Sequence, residues 1–324
     1  MTFPELPEKV RILIVRFSYD GQERIEIGQW IARLAPILAV HPRVEHVFWS
    51  CPIGYPITCQ RNAALDSAIR NGCHFVLMCD TDMIFDVHAK DGGIDYAHMP
   101  KMADQIPFMP AALEYALEHP GPCVIAAPYC AGPPSERVLV HRFVEYEQES
   151  PNAPTEGIRL EPFSREEAAL KTGYEMVAAL PTGLMLIDTR VCHVLKPPYF
   201  TYEYNGDAET GLIGTEDVVF SRNLYYLGVP QYCAWSSWSA HVKHRFVGRP
   251  RVYPKGAYPM GIQKTWERGI LERSKATRPA DAINEEAVRI LADWKAREKA
   301  PDADPVLPLT DDELCDTGDV HHSE

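Results

Sequence analysis

The sequence predicts an α/β fold built on a doubly wound sheet. Strands and helices alternate from the start of the chain, the strands are continuously apolar, and polar side chains follow the strand ends. Residues 10–17, 44–49 and 75–79 have the pattern of buried strands, and residues 26–40 and 58–71 between them have apolar residues at helical spacing. This β-α-β-α-β order is typical of the beginning of a doubly wound domain.

The pattern after residue 86 is less regular. A short helix is predicted over residues 110–118, a strand over 123–128, and an irregular insertion with one strand near 138–144 over 131–172. Further strands are predicted over residues 174–179, 184–188 and 231–235, and a helix over 218–227 whose N-cap is Thr215. Gly72 and Gly228 are predicted to end the helices before them.

Length and composition predict one large domain with a tail. The chain has 324 residues, of which 46% are hydrophobic, and a formal net charge of −13. We expect the main domain over residues 1–260, a helical extension over 261–300 and a disordered acidic tail over 301–324. Within the extension, residues 282–300 form an amphipathic pattern that favours packing on the domain or on a second copy of the chain.

The composition also bears on the compartment and on partners. An odd number of cysteines, nine, without a Cys-x-x-Cys pair indicates reduced thiols rather than a disulfide framework or a zinc site. No apolar run approaches the roughly 20 residues of a membrane span, and the first strand is too short for a signal peptide. We therefore expect a cytoplasmic protein, in the host cytoplasm if it is viral. The acidic charge argues against nucleic-acid binding by the whole surface.

The third predicted strand ends in two carboxylates, Asp80 and Asp82, one residue apart. Ligands gather beyond the carboxyl ends of strands in an open α/β sheet, and two hard oxygen ligands suit Mg²⁺ or Mn²⁺. Such ions keep several waters and bridge to substrate phosphates. The pair therefore predicts a metal site for a nucleotide diphosphate.

Two alternatives to a metal site exist for this acidic pair. An acidic pair after a strand can simply cap the following turn. In one class of phosphatases the first Asp is phosphorylated and the second is a general acid. That motif usually opens its domain, however, and carries Thr or Val where this chain has Ile84.

Five markers follow one another along the chain. They are Arg61 with Asn62 on a predicted helix, Asp80-Thr81-Asp82 after a strand, Thr182 with Gly183 before a strand, Glu216 with Asp217 opening a helix, and His241 after the last strand. Their order resembles the GT-A class of nucleotide-sugar glycosyltransferases, in particular its compact bacterial and phage members, over residues 10–245. The resemblance implies metal-dependent transfer of a hexosyl or pentosyl group from a UDP-sugar or GDP-sugar to an acceptor hydroxyl.

The resemblance implies three metal ligands and a base. Asp80 and Asp82 would bind the ion that holds the donor diphosphate, and His241 would be the third ligand, which favours Mn²⁺ over Mg²⁺. Asp217, with Glu216 second, would take the proton of the acceptor hydroxyl. The alternative for His241 is a histidine of the core. For the two helix-opening acids, it is the preference of a helix first turn for negative charge.

The resemblance also implies donor-binding residues. Arg61 would lie near the pyrophosphate or the base, because its planar guanidinium can bind two oxygens at once, although a salt bridge on its helix explains it equally well. The end of the first strand would seat the base and the ribose. The implied donor-binding residues are Phe17, Ser18, Tyr19, Arg61, Asn62, Asp80, Thr81, Gly183, Lys243 and Arg245.

The acceptor is open at this point. Residues 242–251 are the one strongly basic stretch of an acidic chain, and they fit a lid over the diphosphate, a contact with a polyanionic acceptor, or solvated charge. Glycans, small molecules, proteins and hydroxymethylated bases of phage DNA all fit as acceptors. A non-catalytic nucleotide-sugar binding module and the phosphatase are the alternatives of another class.

The sequence departs from the family pattern at two positions. Pro181 stands where the family has a leading glycine before the Thr-Gly pair, and Ala240 stands where it has a glycine before the histidine. Both changes restrict the backbone. We expect the side-chain roles to persist along an altered backbone path.

Overall fold

The computed structural model of the chain describes residues 3–18, 23–53, 56–90, 101–132, 135–147, 156–204, 212–242 and 246–247. The predictions for Tyr19, Lys243 and Arg245 lie outside these residues, as do most of the basic stretch, the helical extension and the acidic tail. The predicted boundaries at residues 260 and 300 lie outside them too.

The described residues form fourteen strands, five α-helices and one 3₁₀ turn. The strands are β1 (Val10–Phe17), β2 (Val44–Ser50), β3 (Phe75–Asp80), β4 (Met83–Ile84), β5 (Val124–Ala126), β6 (His141–Glu147), β7 (Glu156–Pro162), β8 (Tyr174–Met176), β9 (Leu184–Asp188), β10 (Glu203–Tyr204), β11 (Leu212–Gly214), β12 (Gln231–Ala234), β13 (Ala240–Val242) and β14 (Phe246–Val247). The helices are α1 (Ile25–Ala39), α2 (Ile57–Arg70), α3 (Phe108–Glu118), α4 (Arg165–Leu170) and α5 (Glu216–Tyr226), and the 3₁₀ turn is Thr189–His193.

Seven strands form one mixed sheet in the order β2-β1-β3-β9-β5-β12-β8. Strands β1, β2 and β3 are parallel, β9 is antiparallel to both of its neighbours, and β12 is parallel to β5. Strand β8 closes the far edge antiparallel to β12. The predicted α/β fold with a doubly wound, Rossmann-like mixed sheet is thus confirmed.

Helices cover both faces of the sheet, which explains why its central strands are apolar at successive positions. On one face Leu13 and Val15 of β1 pack in the cluster that includes α2 and α5. On the other face Ile12 and Ile14 pack with α1 and α3. All four side chains are at most 4% exposed. Because alternate residues point to opposite faces, a strand must be apolar throughout when both faces are covered.

Glycine ends two of the helices, as predicted. Gly72 follows α2 with a φ of +59°, and Gly228 follows α5 with a φ of +69°. Each N–H donates back to a carbonyl of its helix at 3.0 Å, that of Ile69 and that of Tyr225. Glycine adopts this left-handed conformation without the penalty that a side chain would bring.

The insertion is more regular than predicted. Strands β6 and β7 form an antiparallel hairpin outside the main sheet, and α4 follows it. Ser164 and Glu167 form a reciprocal capping box at the start of α4. The prediction of irregular structure over residues 131–172 was therefore wrong, and the strand predicted near 138–144 begins at His141. The prolines and charges of this interval suggested irregular structure, but they are compatible with a hairpin that pairs outside the main sheet.

A small sheet lies beyond the end of β3. The short strand β4 pairs antiparallel with β13, which in turn pairs with β14. In this register Met83 lies opposite His241, and the Val242 N–H donates to the carbonyl of Asp82 at 2.7 Å. The chain segment after β12 is thereby brought back to the segment after β3. No helix among the described residues has the length and apolar character needed to cross a membrane.

Candidate functional site

The carboxyl ends of β1 and β3 lie side by side, with Phe17 opposite Asp80. The backbone N–H and the hydroxyl of Thr81 both donate to the Phe17 carbonyl, at 3.1 and 2.9 Å. The Asp80 N–H donates to the carbonyl of Gly183 at 2.9 Å, which ties the start of β9 to the same point. The acidic segment therefore leaves the sheet along a backbone path held by three hydrogen bonds.

Arg61 joins two of the predicted acidic residues. Its side chain, on α2, is 2% exposed. Its Nη2 donates to both carboxylate oxygens of Asp80 at 3.0 Å, and its Nη1 donates to the carboxylate of Glu216. Strand β3 and helix α5 are thus linked through one guanidinium. The resemblance implied donor contact for Arg61 and metal contact for Asp80, whereas here the two side chains bind each other.

Burial and charge act in opposite directions on this ion triad. Burial by itself lowers the pKa of the Arg61 guanidinium, but the charges of Asp80, Glu216 and Asp217 outweigh it and raise that pKa above its ordinary value. Burial raises the pKa of Asp80, and the charge of Arg61 works against that rise. The guanidinium therefore stays charged at the centre of the site.

Asp82 and His241 form a pair that is separate from the ion triad of Arg61, Asp80 and Glu216. The Nε2 atom of His241 lies 3.2 Å from Oδ2 of Asp82, and its Nδ1 lies 3.2 Å from the carbonyl oxygen of Cys130. A carbonyl only accepts hydrogen bonds, so a proton on Nδ1 satisfies the contact with Cys130 and leaves Nε2 facing Asp82. At Nε2 either a proton or a cation can join the ring to the carboxylate oxygen.

This pair fits a divalent ion by its chemistry. Imidazole and carboxylate are both ligands of Mn²⁺-type ions, and a metal-binding histidine ordinarily donates its other ring N–H to a carbonyl or carboxylate, as His241 does to Cys130. Two adjacent ligands of an octahedral ion with bonds of about 2.1 Å lie about 3 Å apart. The Asp82 side chain is 44% exposed, so an ion bound to it would be accessible to further ligands such as phosphate.

The structure brings together only two of the three predicted metal ligands. Across the described ranges, no group of three His, Cys, Asp or Glu side chains is arranged to hold a metal ion. Asp82 and His241 are within reach of one another, while the Asp80 oxygens accept from Arg61.

The predicted base lies in the first turn of α5. The carboxylate of Asp217 accepts from the N–H of Val218 at 2.9 Å and from the hydroxyl of Thr215. Thr215 is the N-cap residue as predicted, although its side chain bonds Asp217 rather than a backbone N–H. Glu216, the second choice, is held by Arg61. Of the two acids, Asp217 is therefore the one that the triad leaves outside its hydrogen bonds.

Two basic side chains, Arg137 before β6 and His141 at its start, lie in the electrostatic environment of Asp217. Burial, helped by the charge of Arg137 and opposed by that of Asp217, lowers the pKa of His141 to about 4. Burial also lowers the pKa of Arg137, again against the charge of Asp217. The insertion thus contributes to the surroundings of the predicted base.

Tyr129 packs beneath the site and requires a glycine at position 183. A Cβ on Gly183 would lie 2.6 Å from the Tyr129 ring and 3.2 Å from Met83. The same ring contacts His241 edge to face, with centroids 5.3 Å apart. Burial raises the pKa of Tyr129 well above its ordinary value, with the charges of Asp80, Asp217 and Asp82 acting in the same direction. Tyr129 therefore lies within the electrostatic reach of Asp80 and Asp82 after β3 and of Asp217 at the start of α5.

The remaining predicted donor residues have structural contacts in the described part of the chain. Asn62 donates to the carbonyls of Thr58 and Phe200 at 2.9 and 2.8 Å and accepts from the Phe200 N–H at 3.0 Å. Phe17 and Ser18 are 4% and 1% exposed. Both residues are buried at the end of β1, so neither presents an exposed side chain to a nucleotide.

Sequence reasoning missed Tyr129, Cys130 and Arg137. Cys130 acts through its backbone carbonyl, which no residue type reveals. Strand β5 runs parallel to β3 through the intervening β9, so its carboxyl end reaches the same edge of the sheet. The position of Tyr129 just beyond a predicted strand end is the signal that could have found it.

Comparisons with known proteins give distant structural similarities. No protein-family model matches the sequence, and no curated protein matches it at a significant level. The fold is similar to the crystal structure of A197 from STIV, with a TM-score of 0.43 and 14% identity over 77% of this chain and 99% of that one. It is also similar to GalNAc-T7 crystallised with UDP, GalNAc and Mn²⁺, with a TM-score of 0.35 and 11% identity over 72% and 44% of the two chains.

Proposed function

We propose that this chain is a metal-dependent glycosyltransferase that moves a sugar from a nucleotide-diphosphate sugar to an acceptor hydroxyl. The observation that carries the proposal is the pairing of Asp82 with His241 beyond the carboxyl end of β3, with the His241 ring oriented by the Cys130 carbonyl. This is the edge of an α/β sheet where ligands bind.

The residues proposed to act in the reaction form two groups, one that binds the metal ion and one that contains the base. Asp82 and His241 would hold the divalent ion, which would offset the negative charge of the departing diphosphate. Asp217 lies at the start of α5, where it accepts the proton of the acceptor hydroxyl. Its connection to the metal side runs through Glu216, Arg61 and Asp80. The acidic strand end and the helix-opening acids thereby serve one reaction.

The two alternatives differ in what they require of Asp80 and Asp217. A phosphatase nucleophile needs a free carboxylate oxygen, and both oxygens of Asp80 accept from Arg61. This contact argues against the phosphatase. A non-catalytic binding module would bind donor and metal yet leave the donor intact, and its function would tolerate Asp217→Asn. Hydrolysis of the donor in the absence of acceptor separates the module from the transferase.

The donor base and the acceptor are finer parts of the proposal. UDP-sugars and GDP-sugars both remain candidates, and so do glycans, small molecules, proteins and modified DNA bases as acceptors. The predicted cytoplasmic location and the predicted self-association through residues 282–300 likewise stay predictions.

The first test is thermal unfolding with UDP and with GDP, each with and without Mn²⁺. A ligand that binds only the folded state at 100 times its Kd stabilises it by about 2.7 kcal/mol, which is several degrees in Tm for a chain of this size. We expect a shift with one nucleotide that needs Mn²⁺ and is lost in Asp82→Asn and in His241→Ala. The matched controls are Asp66→Asn, on the exposed side of α2, and His193→Ala, at an exposed position.

Three outcomes are informative. A Mn²⁺-dependent shift that survives in the controls and disappears in the site variants supports the donor site. A shift that also survives in the site variants contradicts the assignment of Asp82 and His241. No shift with either nucleotide contradicts the proposed function for uracil and guanine donors, and phosphate release from a generic phosphomonoester would then favour the phosphatase.

A further inference from the structure

Arg61 connects three separate parts of the fold. It lies on α2, while its two carboxylate partners belong to the end of β3 and to the first turn of α5. These partners are 19 and 155 residues away along the chain. Among the described residues no backbone hydrogen-bond ladder joins β3 to α5, so the guanidinium is a direct polar link between the acidic strand end and the helix of Asp217.

Two aromatic rings lie close to the guanidinium. Its central carbon lies 5.7 Å from the centroid of the Phe17 ring and 5.9 Å from that of Phe200. The next residue, Asn62, holds the backbone of Phe200 with a hydrogen bond in each direction. The ring above Arg61 is therefore fixed by the same helix that carries Arg61.

The hydrogen-bonding groups of Arg61 face inward. Both terminal nitrogens donate to carboxylates, and the side chain is 2% exposed. A donor diphosphate would have to compete with Asp80 and Glu216 for the terminal nitrogens of this buried guanidinium. This geometry does not match the donor contact that the family resemblance implied.

We propose that Arg61 is a positioning residue that fixes the first turn of α5, and with it Asp217, relative to the strand end that carries Asp82. Asp80 and Glu216 are the two contacts through which it acts. The catalytic consequence rests on the proposed function, because Asp217 is the predicted base. The mechanical consequence does not, since it concerns the protein without ligands.

The mechanical consequence is tested by hydrogen exchange of the ligand-free protein. The Val219 N–H, which donates to Thr215 at 2.9 Å, reports on the first turn of α5. Glu216→Ala removes one contact of Arg61, and Asp80→Asn weakens the other from a distant element. We expect both variants to speed exchange in the peptide over residues 216–220 by about tenfold, with no change in α3. Glu167→Ala, which breaks an exposed pair with Arg142, is the control.

The Asp80→Asn result decides between positioning and a local effect. Loss of Glu216 could loosen its own helix through the helix dipole alone, whereas Asp80 lies on another element. Unchanged exchange of residues 216–220 in Asp80→Asn would overturn the proposal. Because this readout needs neither nucleotide nor metal, it stands even if the thermal-shift test contradicts the proposed function.

The catalytic consequence is tested by separating affinity from turnover. In Glu216→Ala we expect Kd for the nucleotide with Mn²⁺ within about twofold of wild type and donor hydrolysis slower by about 10- to 100-fold, since small misplacements of a reacting group cost that much. Glu216→Gln keeps an oxygen that accepts from Arg61, and we expect it to restore most of the rate. The opposing result would come from an Arg61→Lys variant that folds normally. If this variant binds the nucleotide more than fivefold more weakly than wild type, Arg61 contacts the donor directly and is not a positioning residue.

Discussion

Replacing Gly183 by alanine tests the packing beneath the site. The added Cβ would lie 2.6 Å from Cε1 and 3.0 Å from Cζ of Tyr129, and 3.2 Å from Cγ of Met83. Tyr129 is 7% exposed and Met83 is 1% exposed, so neither can move into solvent without opening the core. Overpacking of this kind costs about 1–3 kcal/mol. We expect Gly183→Ala to lower the free energy of unfolding by that amount.

The displacement should also reach the metal side of the site. The Tyr129 ring contacts His241, whose Nε2 faces Asp82, so a shifted ring reorients the imidazole. We therefore expect Gly183→Ala to lose a larger fraction of its free energy of Mn²⁺ binding than of its free energy of unfolding, each compared with wild type. Urea unfolding gives the stability change, and calorimetric titration of the folded variant with Mn²⁺ gives the affinity.

Two glycines in open surroundings serve as controls. A Cβ on Gly121 or on Gly28 meets no atom within 4 Å. Gly121→Ala should stay within about 0.5 kcal/mol of wild type. Gly28 lies exposed inside α1, where alanine is favoured over glycine by about 0.8–1.0 kcal/mol, so Gly28→Ala should stabilise the protein. A Gly183→Ala variant as stable as the Gly121→Ala control would refute the packing argument.

A double-mutant cycle isolates the contact with Tyr129. Tyr129→Leu shortens the side chain that the new methyl group would strike, at its own cost of a cavity. We expect Gly183→Ala to cost less in the Tyr129→Leu background than in wild type, with a coupling energy of at least about 0.5 kcal/mol. Additive effects of the two changes would mean that the clash is relieved elsewhere.

Two further predictions concern the stability of the fold. Asp86 is buried with a φ of +58° and accepts from the Trp30 indole N–H and the Phe108 N–H, both at 2.7 Å, so Asp86→Ala should cost about 2–4 kcal/mol in urea unfolding, while Asp86→Gly should recover the backbone part of that loss. His141 has a folded pKa of about 4 against about 6.5 unfolded, so its contribution is complete above pH 6.5 and is lost as the pH falls from 6.5 to 4. Wild type should therefore lose about 2–3 kcal/mol more than His141→Gln between pH 7 and pH 4, and equal losses by urea unfolding would contradict the burial of a neutral imidazole.

The first half of the fold could be predicted because its signals are local and agree. Strand β1 has the predicted bounds, and β2, α1 and α2 differ from prediction by one residue at each end or less. Apolar periodicity, Gly72 and the strand of Asp80 all indicate the same βαβαβ unit. The hairpin within the insertion was missed because its two strands pair outside the main sheet and their sequence is rich in charged residues.

The members of the site could be predicted better than their contacts. Residue type and chain order selected Arg61, Asp80, Asp82, Glu216 and His241, and the structure brings these five into two linked groups. Which carboxylate binds the arginine is decided by distances between elements far apart in sequence. No periodicity or spacing contains that information.

Pro181 and Ala240 stand where the family named by the resemblance has glycine, and the structure accommodates both residues. Ala240 is fully buried, and it packs with Ile84 and Val87 in a small apolar cluster that a glycine would leave unfilled. It pairs with Ile84, which places His241 opposite Met83, directly after Asp82. A shift of one residue would turn the imidazole to the other face of the ladder.

Pro181 acts on a segment whose hydrogen bonds do not need its N–H. The contact with the acidic strand is made two residues later, where the Gly183 carbonyl accepts from Asp80, and proline removes only a donor. The glycine that the site requires is therefore Gly183, because of Tyr129, and not a residue at position 181. Strand register sets the pair of Asp82 and His241, and the buried Arg61 sets the distance from that pair to α5. Asp82 and His241 are thus held together by backbone pairing between β4 and β13, whereas the start of α5 is held to the end of β3 by the contacts of Arg61.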